Sequence, residues 1–237
     1  MSSKPIKTAF ILGAGLGTRL CPMTDSCPKP LLPVGGRPII TYAMEHLLTA
    51  GVERFIINTH HMAHVYHDVF PENKWRETPV IFRYEPVLLD TAGGLKNIED
   101  LIEGTDDILV YNGDVISDLP LAHLLEAHRS SGAEVTLVLR SKGHPLHVAM
   151  NDRLEVCDFR NTLGKDGRKC LFTGIYALQK KFLDRLDPDR RESVITVFLA
   201  MIKEKTGFVA GVIIDEGSWQ DVGSLEEYKR ANDLLKK

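Results

Sequence analysis

The sequence predicts an α/β fold, a three-layer α/β/α Rossmann-like sandwich around a mostly parallel central sheet, with a smaller subregion in its second half. Three observations carry that expectation. Short apolar runs alternate with segments of helical period from Thr8 to Leu139. A glycine-rich loop, "GAGLG", follows the first of those runs at once, where sheets of this class keep their ligand sites. A chain of 237 residues with 43% hydrophobic content can close one large core.

The elements follow in order. Thr8–Leu12 reads as a short buried strand. Ile39, Ile40, Ala43, Met44, Leu47 and Leu48 recur at helical spacing, and Gly51 stands where a C-terminal cap glycine belongs. Phe55–Asn58, Val80–Tyr84 and Ile108–Tyr111 are the next strands. A helix over Leu121–His128 and a strand over Ala133–Leu139 complete the regular part. Beyond Gly143 the strands become short and are separated by polar turns, which reads as strands added to the same core plus a lid-like subregion. Glu192–Lys205 has helical period, Val209–Ile214 is a strand, and Ser224 with Glu227 three residues on forms a capping box for a closing helix to Leu235. No repeat or linker marks a second domain, so residues 1–237 are expected to be one unit.

Composition excludes several classes. The net charge is −3 with both signs interspersed, so there is no basic stripe for nucleic acid. No apolar run approaches the ~20 residues of a membrane span, and the N-terminus lacks a signal core, which predicts a cytoplasmic protein with no membrane partner. Cys21, Cys27, Cys157 and Cys170 form no C-x-x-C pair and read as loop or buried thiols.

The glycine loop admits several readings. Gly13 and Gly15 suit a dinucleotide fingerprint, but Thr18 holds its third glycine position, and Pro22, Pro28 and Pro30 forbid the helix it must open. No Walker loop is present. A ligand-free turn is disfavoured by Arg19 and Lys29, which follow in a stretch too polar for core. There remains a loop whose backbone N–H groups cradle a nucleoside triphosphate, with Arg19 forking onto phosphate oxygens and Lys29 adding a point charge held by its flanking prolines. Asp114 in "YNGDV" and Asp221 in "SWQDVGS" are either turn residues or a pair of oxygen ligands for a hard cation. His60, His64 and His67 fall at i, i+4 and i+7, a spacing that serves a solvated helix face or a transition metal.

The string "GAGLGTRL…CPKPLLPVGGRPII" resembles the signature of the sugar-1-phosphate nucleotidyltransferases, or nucleotide-sugar pyrophosphorylases, and the resemblance runs to the C-terminus. It is most similar to short single-domain bacterial members acting as N-acetylmuramate-1-phosphate uridylyltransferases or mannose-1-phosphate guanylyltransferases, without an appended β-helix. The resemblance implies the nucleotide-diphospho-sugar transferase fold, with residues 1–142 as the nucleotide half and 143–237 as the sugar-binding and closing half. It implies transfer of a nucleoside monophosphate from an NTP to a sugar 1-phosphate, with release of pyrophosphate. UTP with an N-acetylmuramate-1-phosphate-like acceptor is the first expectation, and GTP with a mannose or heptose 1-phosphate the alternative. A phosphoalcohol cytidylyltransferase or a non-catalytic sensor on the same fold are further alternatives.

The resemblance implies roles for Arg19, Lys29, Asp114 and Asp221 in catalysis, with Asp114 and Asp221 holding Mg²⁺. It implies nucleotide contacts from Leu12, Gly13, Ala14, Gly15, Gly17, Thr18 and Asn112, and from Glu85, Thr91, Gly93 and Gly94 in the base-reading segment. It implies sugar contacts from His147, Asn161, Thr173, Gly174 and Trp219. Relatives often assemble, so a homo-oligomer is expected. The sequence departs from the family at Asp90, where many relatives have glycine, and at Phe159–Thr162, which lacks the usual Glu-Lys pair for the acceptor phosphate. Arg160, Lys165, Arg168 and Lys169 are the candidate replacements.

Overall fold

The computed structural model describes residues 5–104 and 106–235. In chain order the elements are β1 (Thr8–Leu12), β2 (Pro33–Val34), β3 (Arg37–Pro38), α1 (Ile40–Thr49), β4 (Arg54–Thr59), α2 (Ala63–Val69), β5 (Lys74–Trp75), β6 (Thr78–Tyr84) and α3 (Asp90–Lys96). There follow β7 (Ile108–Asn112), β8 (Val115–Ser117), α4 (Leu121–Ser131), β9 (Val135–Arg140), β10 (Val148–Met150), β11 (Val156–Phe159) and β12 (Arg168–Leu178). The chain closes with α5 (Val194–Glu204), β13 (Val209–Ile213), β14 (Trp219–Asp221) and α6 (Leu225–Leu235). Among the described residues no helix is long and apolar enough to cross a membrane.

One ten-stranded sheet runs β11-β10-β12-β7-β1-β4-β6-β5, with β9 also pairing β12 and β13. Its centre, β7-β1-β4-β6, is all parallel. Alternation along each strand makes the three layers. Phe10, Ile108 and Val110 face one buried cluster with Leu95 of α3 and Phe198 of α5. Ala9, Ile11, Leu109 and Tyr111 face the other with Met44 and Leu47 of α1 and Leu124 of α4. The second half adds β12 antiparallel to β7, so it extends the same sheet. A third, smaller cluster of Leu20, Leu32, Val34, Ile39, Val222 and Ala231 packs the end of the glycine loop and the proline segment against α6.

Local rules account for most boundaries. Gly51 has φ +85° and ends α1 with Val52 N–H on the Leu47 carbonyl. The closing helix has its predicted cap, with Glu227 N–H donating to Ser224 Oγ at 3.3 Å. The histidine face is corrected. Met62 is left-handed (φ 50°) and α2 starts only at Ala63, so His60 is off the helix. His60 Nδ1 instead meets the Glu85 carbonyl at 2.7 Å, and His67 packs edge-on to Phe82. No group of three or more His, Cys, Asp or Glu side chains among the described residues is poised for a metal.

A different histidine is buried where α4 packs on the sheet. His128 shares a 2.9 Å contact between Nδ1 and Thr136 Oγ1, while Nε2 has no hydrogen-bond partner among the described residues. Burial pushes its pKa down from 6.5 to about 4. The Asp107 carboxyl 3.6 Å from Nε2 works the other way, but burial and Asp106 hold that acid towards its neutral form. With the folded pKa below the unfolded value, stability is full above pH 6.5 and falls as the pH drops towards 4. Urea denaturation should lose about 2 kcal/mol between roughly pH 7.5 and pH 5 from this group alone, and His128→Gln should remove that part of the slope.

Candidate active site

The site lies beyond the carboxyl ends of β1, β4 and β7, where the parallel strands leave a groove. Its floor is the turn after β1. A Cβ on Gly13 would come within 2.6 Å of the Asn58 carbonyl and 2.9 Å of Tyr66 Oη, so packing demands glycine there. Gly15 is different. Its φ is ordinary and nothing lies within 4 Å of where its Cβ would be. Neither packing nor conformation requires glycine at that position, so the open space is left for a ligand to approach the backbone.

A groove of about 390 Å³ is lined by Leu12, Gly13, Ala14, Gly15, Gly17 and Thr18 on one side. Arg19, Lys29, Thr91, Asn112 and Asp114 complete it, so the structure gathers most of the expected nucleotide-site residues in one place. Lys29 opens a 3-10 turn between buried Pro28 and Pro30, with Leu31 N–H on the Pro28 carbonyl at 2.8 Å. That turn aims the ammonium across the groove, where it forms an ion pair with Asp114 Oδ2.

Asp114 and Asp221 are brought together by strand pairing. β14 runs antiparallel to β8 with Asp221 opposite Val115, and Val222 N–H donates to the Asp114 carbonyl at 2.9 Å. Asp221 Oδ1 is buried without a hydrogen-bond partner among the described residues. Burial first, and the Asp114 carboxylate second, raise its pKa well above the usual carboxylate range against the pull of Lys29 and Arg19. An orphaned carboxylate oxygen beside a second carboxylate suits a hard divalent cation, whose remaining ligands would be substrate oxygens and water. Asp118 also has a place here. It accepts both the N–H and the hydroxyl of Ser218, and the backbone bond leads in holding its pKa down. It thereby clamps the turn that leads into β14.

The segment that leads from Glu85 into α3 is held from below by Asn58, which the sequence did not single out. Its Oδ1 accepts Gly13 N–H at 2.8 Å and Ala14 N–H at 3.2 Å, and its Nδ2 donates to Glu85 Oε1 at 2.7 Å. Glu85 is fully buried, and its Oε2 accepts Leu89 N–H at 3.1 Å. Burial raises its pKa while those two hydrogen bonds oppose the shift. Gly93 and Gly94 do not line the groove. They are buried in α3, where a Cβ would strike the Arg190 carbonyl at 2.3 Å or crowd Asn58 Nδ2 and Glu85 Oε1 at 2.9 and 3.0 Å.

A second cavity, about 710 Å³, adjoins the groove past Asn112 and Arg19. Of the expected sugar contacts it includes His147, Thr173, Gly174 and Trp219. Trp219 Nε1 donates to the Thr173 carbonyl at 2.9 Å, which ties β14 to β12. Gly174 (φ +78°) lines the cavity and also gives room to the Asn112 side chain, which occupies the space of its missing Cβ with Nδ2 at 2.5 Å. Asn161 is not brought to this cavity. It sits exposed at φ +58° in the tight turn after β11, which points the chain away. Arg160, Lys165, Arg168 and Lys169 do not line it either, and Arg168 and Lys169 pair with Met150 and Ala149 of β10 at the start of β12. The cavity's cations are instead Arg19 of the glycine-loop motif, Arg140 at the end of β9, Lys142 in the loop after it and Arg230 of α6, and the last three carry no motif in their spacing.

A protein-family model described as nucleotidyl transferase matches residues 8–237. The mannose-1-phosphate guanylyltransferase of Mycobacterium tuberculosis is 32% identical over 233 residues, covering 96% of this chain and 64% of that protein. The UTP–glucose-1-phosphate uridylyltransferase of Synechocystis is 26% identical over 242 residues, covering 94% of this chain and 62% of that protein. This chain therefore spans less than two thirds of the length of those relatives. The crystal structure of HddC from Yersinia pseudotuberculosis, 25% identical, superposes with a TM-score of 0.79 over 97% of this chain and 100% of that one.

The Asn58 network yields a prediction. Asn58→Ala leaves two loop N–H groups and a buried carboxylate without their partner. It should cost about 2–4 kcal/mol in urea denaturation, by the scale of leaving buried polar groups unpaired. An unchanged midpoint would show that the amide holds nothing in place.

Proposed function

The chain belongs to the nucleotidyl transferase family, and on that premise we propose that it transfers a nucleoside monophosphate from an NTP to a sugar 1-phosphate, releasing pyrophosphate. The observation that carries the reading is the convergence of the glycine loop, Lys29, Asp114 and Asp221 on one groove that opens into a cation-lined cavity. The groove takes the triphosphate and the larger cavity takes the sugar 1-phosphate, so the two substrates meet at Asn112 and Arg19, which line both.

In this scheme an oxygen of the acceptor phosphate forms a bond to the α-phosphorus as the bond from that phosphorus to the bridging oxygen of pyrophosphate breaks. The acceptor phosphate is already an anion, so no side chain has to remove a proton. Catalysis is then positioning and charge stabilisation. Backbone N–H groups of residues 15–18 hold the phosphates, while those of Gly13 and Ala14 donate to Asn58 Oδ1 and fix the loop. Arg19, exposed beside Gly223, stabilises the departing pyrophosphate. Lys29 neutralises charge that builds around the α-phosphate. Asp114 and Asp221 would hold Mg²⁺, which supplies charge neutralisation to the triphosphate when bound. The acceptor phosphate is met by Lys142 or Arg230, in place of the absent Glu-Lys pair. The acceptor we favour is a hexose or heptose 1-phosphate.

Pyrophosphate release should appear when Mg²⁺ and one NTP are supplied with a panel of sugar 1-phosphates, and Asp221→Asn should abolish it. Silence across that panel, with NTP binding intact in calorimetry, would turn the reading towards a sensor. Lys29→Ala should lower kcat by about 10²-fold or more, the scale of removing one strong transition-state donor. A change confined to KM would contradict the role given to Lys29.

A further inference from the structure

Arg19 lines both the phosphate groove and the larger cavity, yet its guanidinium makes no hydrogen bond or ion pair among the described residues. Its tip rests beside Gly223, where a Cβ would lie 3.3 Å from both terminal nitrogens. An exposed arginine with no side-chain partner is aimed by the backbone that carries it. That backbone is the 3-10 turn Thr18–Leu20, which starts from Gly17 in the left-handed region (φ 62°, ψ 20°).

Two donors hold the turn by the Gly17 carbonyl. Leu20 N–H closes it from within at 2.8 Å, and Thr24 Oγ1 reaches it from outside at 3.1 Å. Thr24 is buried, and its Cγ2 fills the space beside Gly17, 2.7 Å from where a Cβ would stand. Lys29 Cβ lies 3.2 Å from the same point, so one contact joins the turn that carries Arg19 to the base of Lys29. Thr24 is tethered in its turn. Its carbonyl meets His61 Nε2 at 2.9 Å, and since a carbonyl can only accept, Nε2 is the donor.

The sheet order explains why a histidine can do this. β4 lies between β1 and β6, so residues just past its end reach the loops after both neighbours. Left-handed Met62 keeps this stretch off α2. His60 takes the Glu85 carbonyl on one side and His61 takes Thr24 on the other. The glycine loop is thereby fastened at both ends from a single strand. Asn58 holds Gly13 and Ala14, and the strap His61–Thr24–Gly17 holds the far end. Resting on the nucleotidyltransferase reading, we propose that Thr24 and His61 are positioning residues for Arg19, their strap fixing the turn from which the guanidinium reaches the departing phosphates. A looser turn would have to be ordered during the reaction, and that cost falls on the chemical step.

A double-mutant cycle separates this role from plain loop stability. Thr24→Val keeps the methyl that packs on Gly17 and deletes the outer donor, while Leu20 N–H still satisfies the carbonyl. It should lower kcat about fivefold, the scale of one hydrogen bond, with the KM for the sugar 1-phosphate little changed. In an Arg19→Ala background the same substitution should cost less than about twofold, because no guanidinium is left to aim. His61→Ala should follow Thr24→Val, and it carries the same cycle if Thr24→Val does not fold. Thr24→Ser and His61→Gln retain a donor and should stay within about twofold of the unsubstituted protein. Equal losses with and without Arg19 would overturn the proposal and leave the strap a stabiliser of the loop, and pyrophosphate release by the unsubstituted protein would then keep the nucleotidyltransferase reading standing. If that protein releases none but binds Mg²⁺–NTP in calorimetry, the reading falls, and the cycle read on that Kd still decides the strap by the same criterion. Failure of every NTP to bind would remove both.

Discussion

The side-chain amide of Asn58 is the constraint on which the rest of the site depends. It stands at the end of a central strand, fully enclosed, with its oxygen facing two backbone donors of the glycine loop and its nitrogen facing the Glu85 carboxylate. The partners fix its orientation, since the reverse would set oxygen against carboxylate and nitrogen against N–H groups. One residue thereby joins the loop after β1, the end of β4 and the segment that opens α3. Glu85 in turn holds Leu89, and the mainchain around Leu89 holds Glu192. The loop proposed for phosphate and the segment that opens α3 are thus built as one hydrogen-bonded piece from three separate parts of the chain.

The opposite wall of the groove is organised by charge. Asp114, Asp221 and Lys29 meet at the rim of the two-stranded antiparallel ribbon of β8 and β14, which is held from three directions: Asp118 on Ser218, Trp219 on Thr173, and Val222 in the small apolar cluster with Leu20 and Ala231. Burying a carboxylate oxygen without a partner costs free energy. The fold bears that cost at Asp221 and lowers it only in part through Lys29, which is the arrangement expected of groups whose full complement arrives with a ligand. The same apolar cluster links α6 to the proline segment, so the C-terminal helix braces the element that presents Lys29.

The relation between the two halves explains why the two cavities touch. β12 enters the sheet antiparallel to β7, and its register against β9 shifts between Phe172 and Tyr176. At that irregularity Gly174 lets the Asn112 side chain lean across the end of the strand. Asn112 consequently lines both the groove and the larger cavity, and Arg19 does so from the other side. A reaction that joins two phosphorylated substrates needs such a shared boundary.

The strands, the order of helices and sheet, and the glycine loop with Arg19 and Lys29 were legible in the sequence, because each rests on short-range chemistry: period, turn residues, proline, and small residues where backbone must be approached. Asp114 and Asp221 were legible only through motif resemblance, since strand pairing alone makes them neighbours. Other features could not be read from spacing. Nothing around Asn58 marks it, because its partners come from residues 13, 14 and 85. Gly93 and Gly94 looked like ligand contacts and prove to be packing residues, and Asn161 is turned away from the cavity. The expected basic replacements after β11 do not line the hollow; Arg140 at the end of β9, Lys142 in the loop after it and Arg230 of α6 do. Local sequence determined which pieces could form and which loop could cradle an anion. Tertiary structure decided which charges face one another, because that depends on where strands pair and helices cross, distances along the chain that no local pattern encodes.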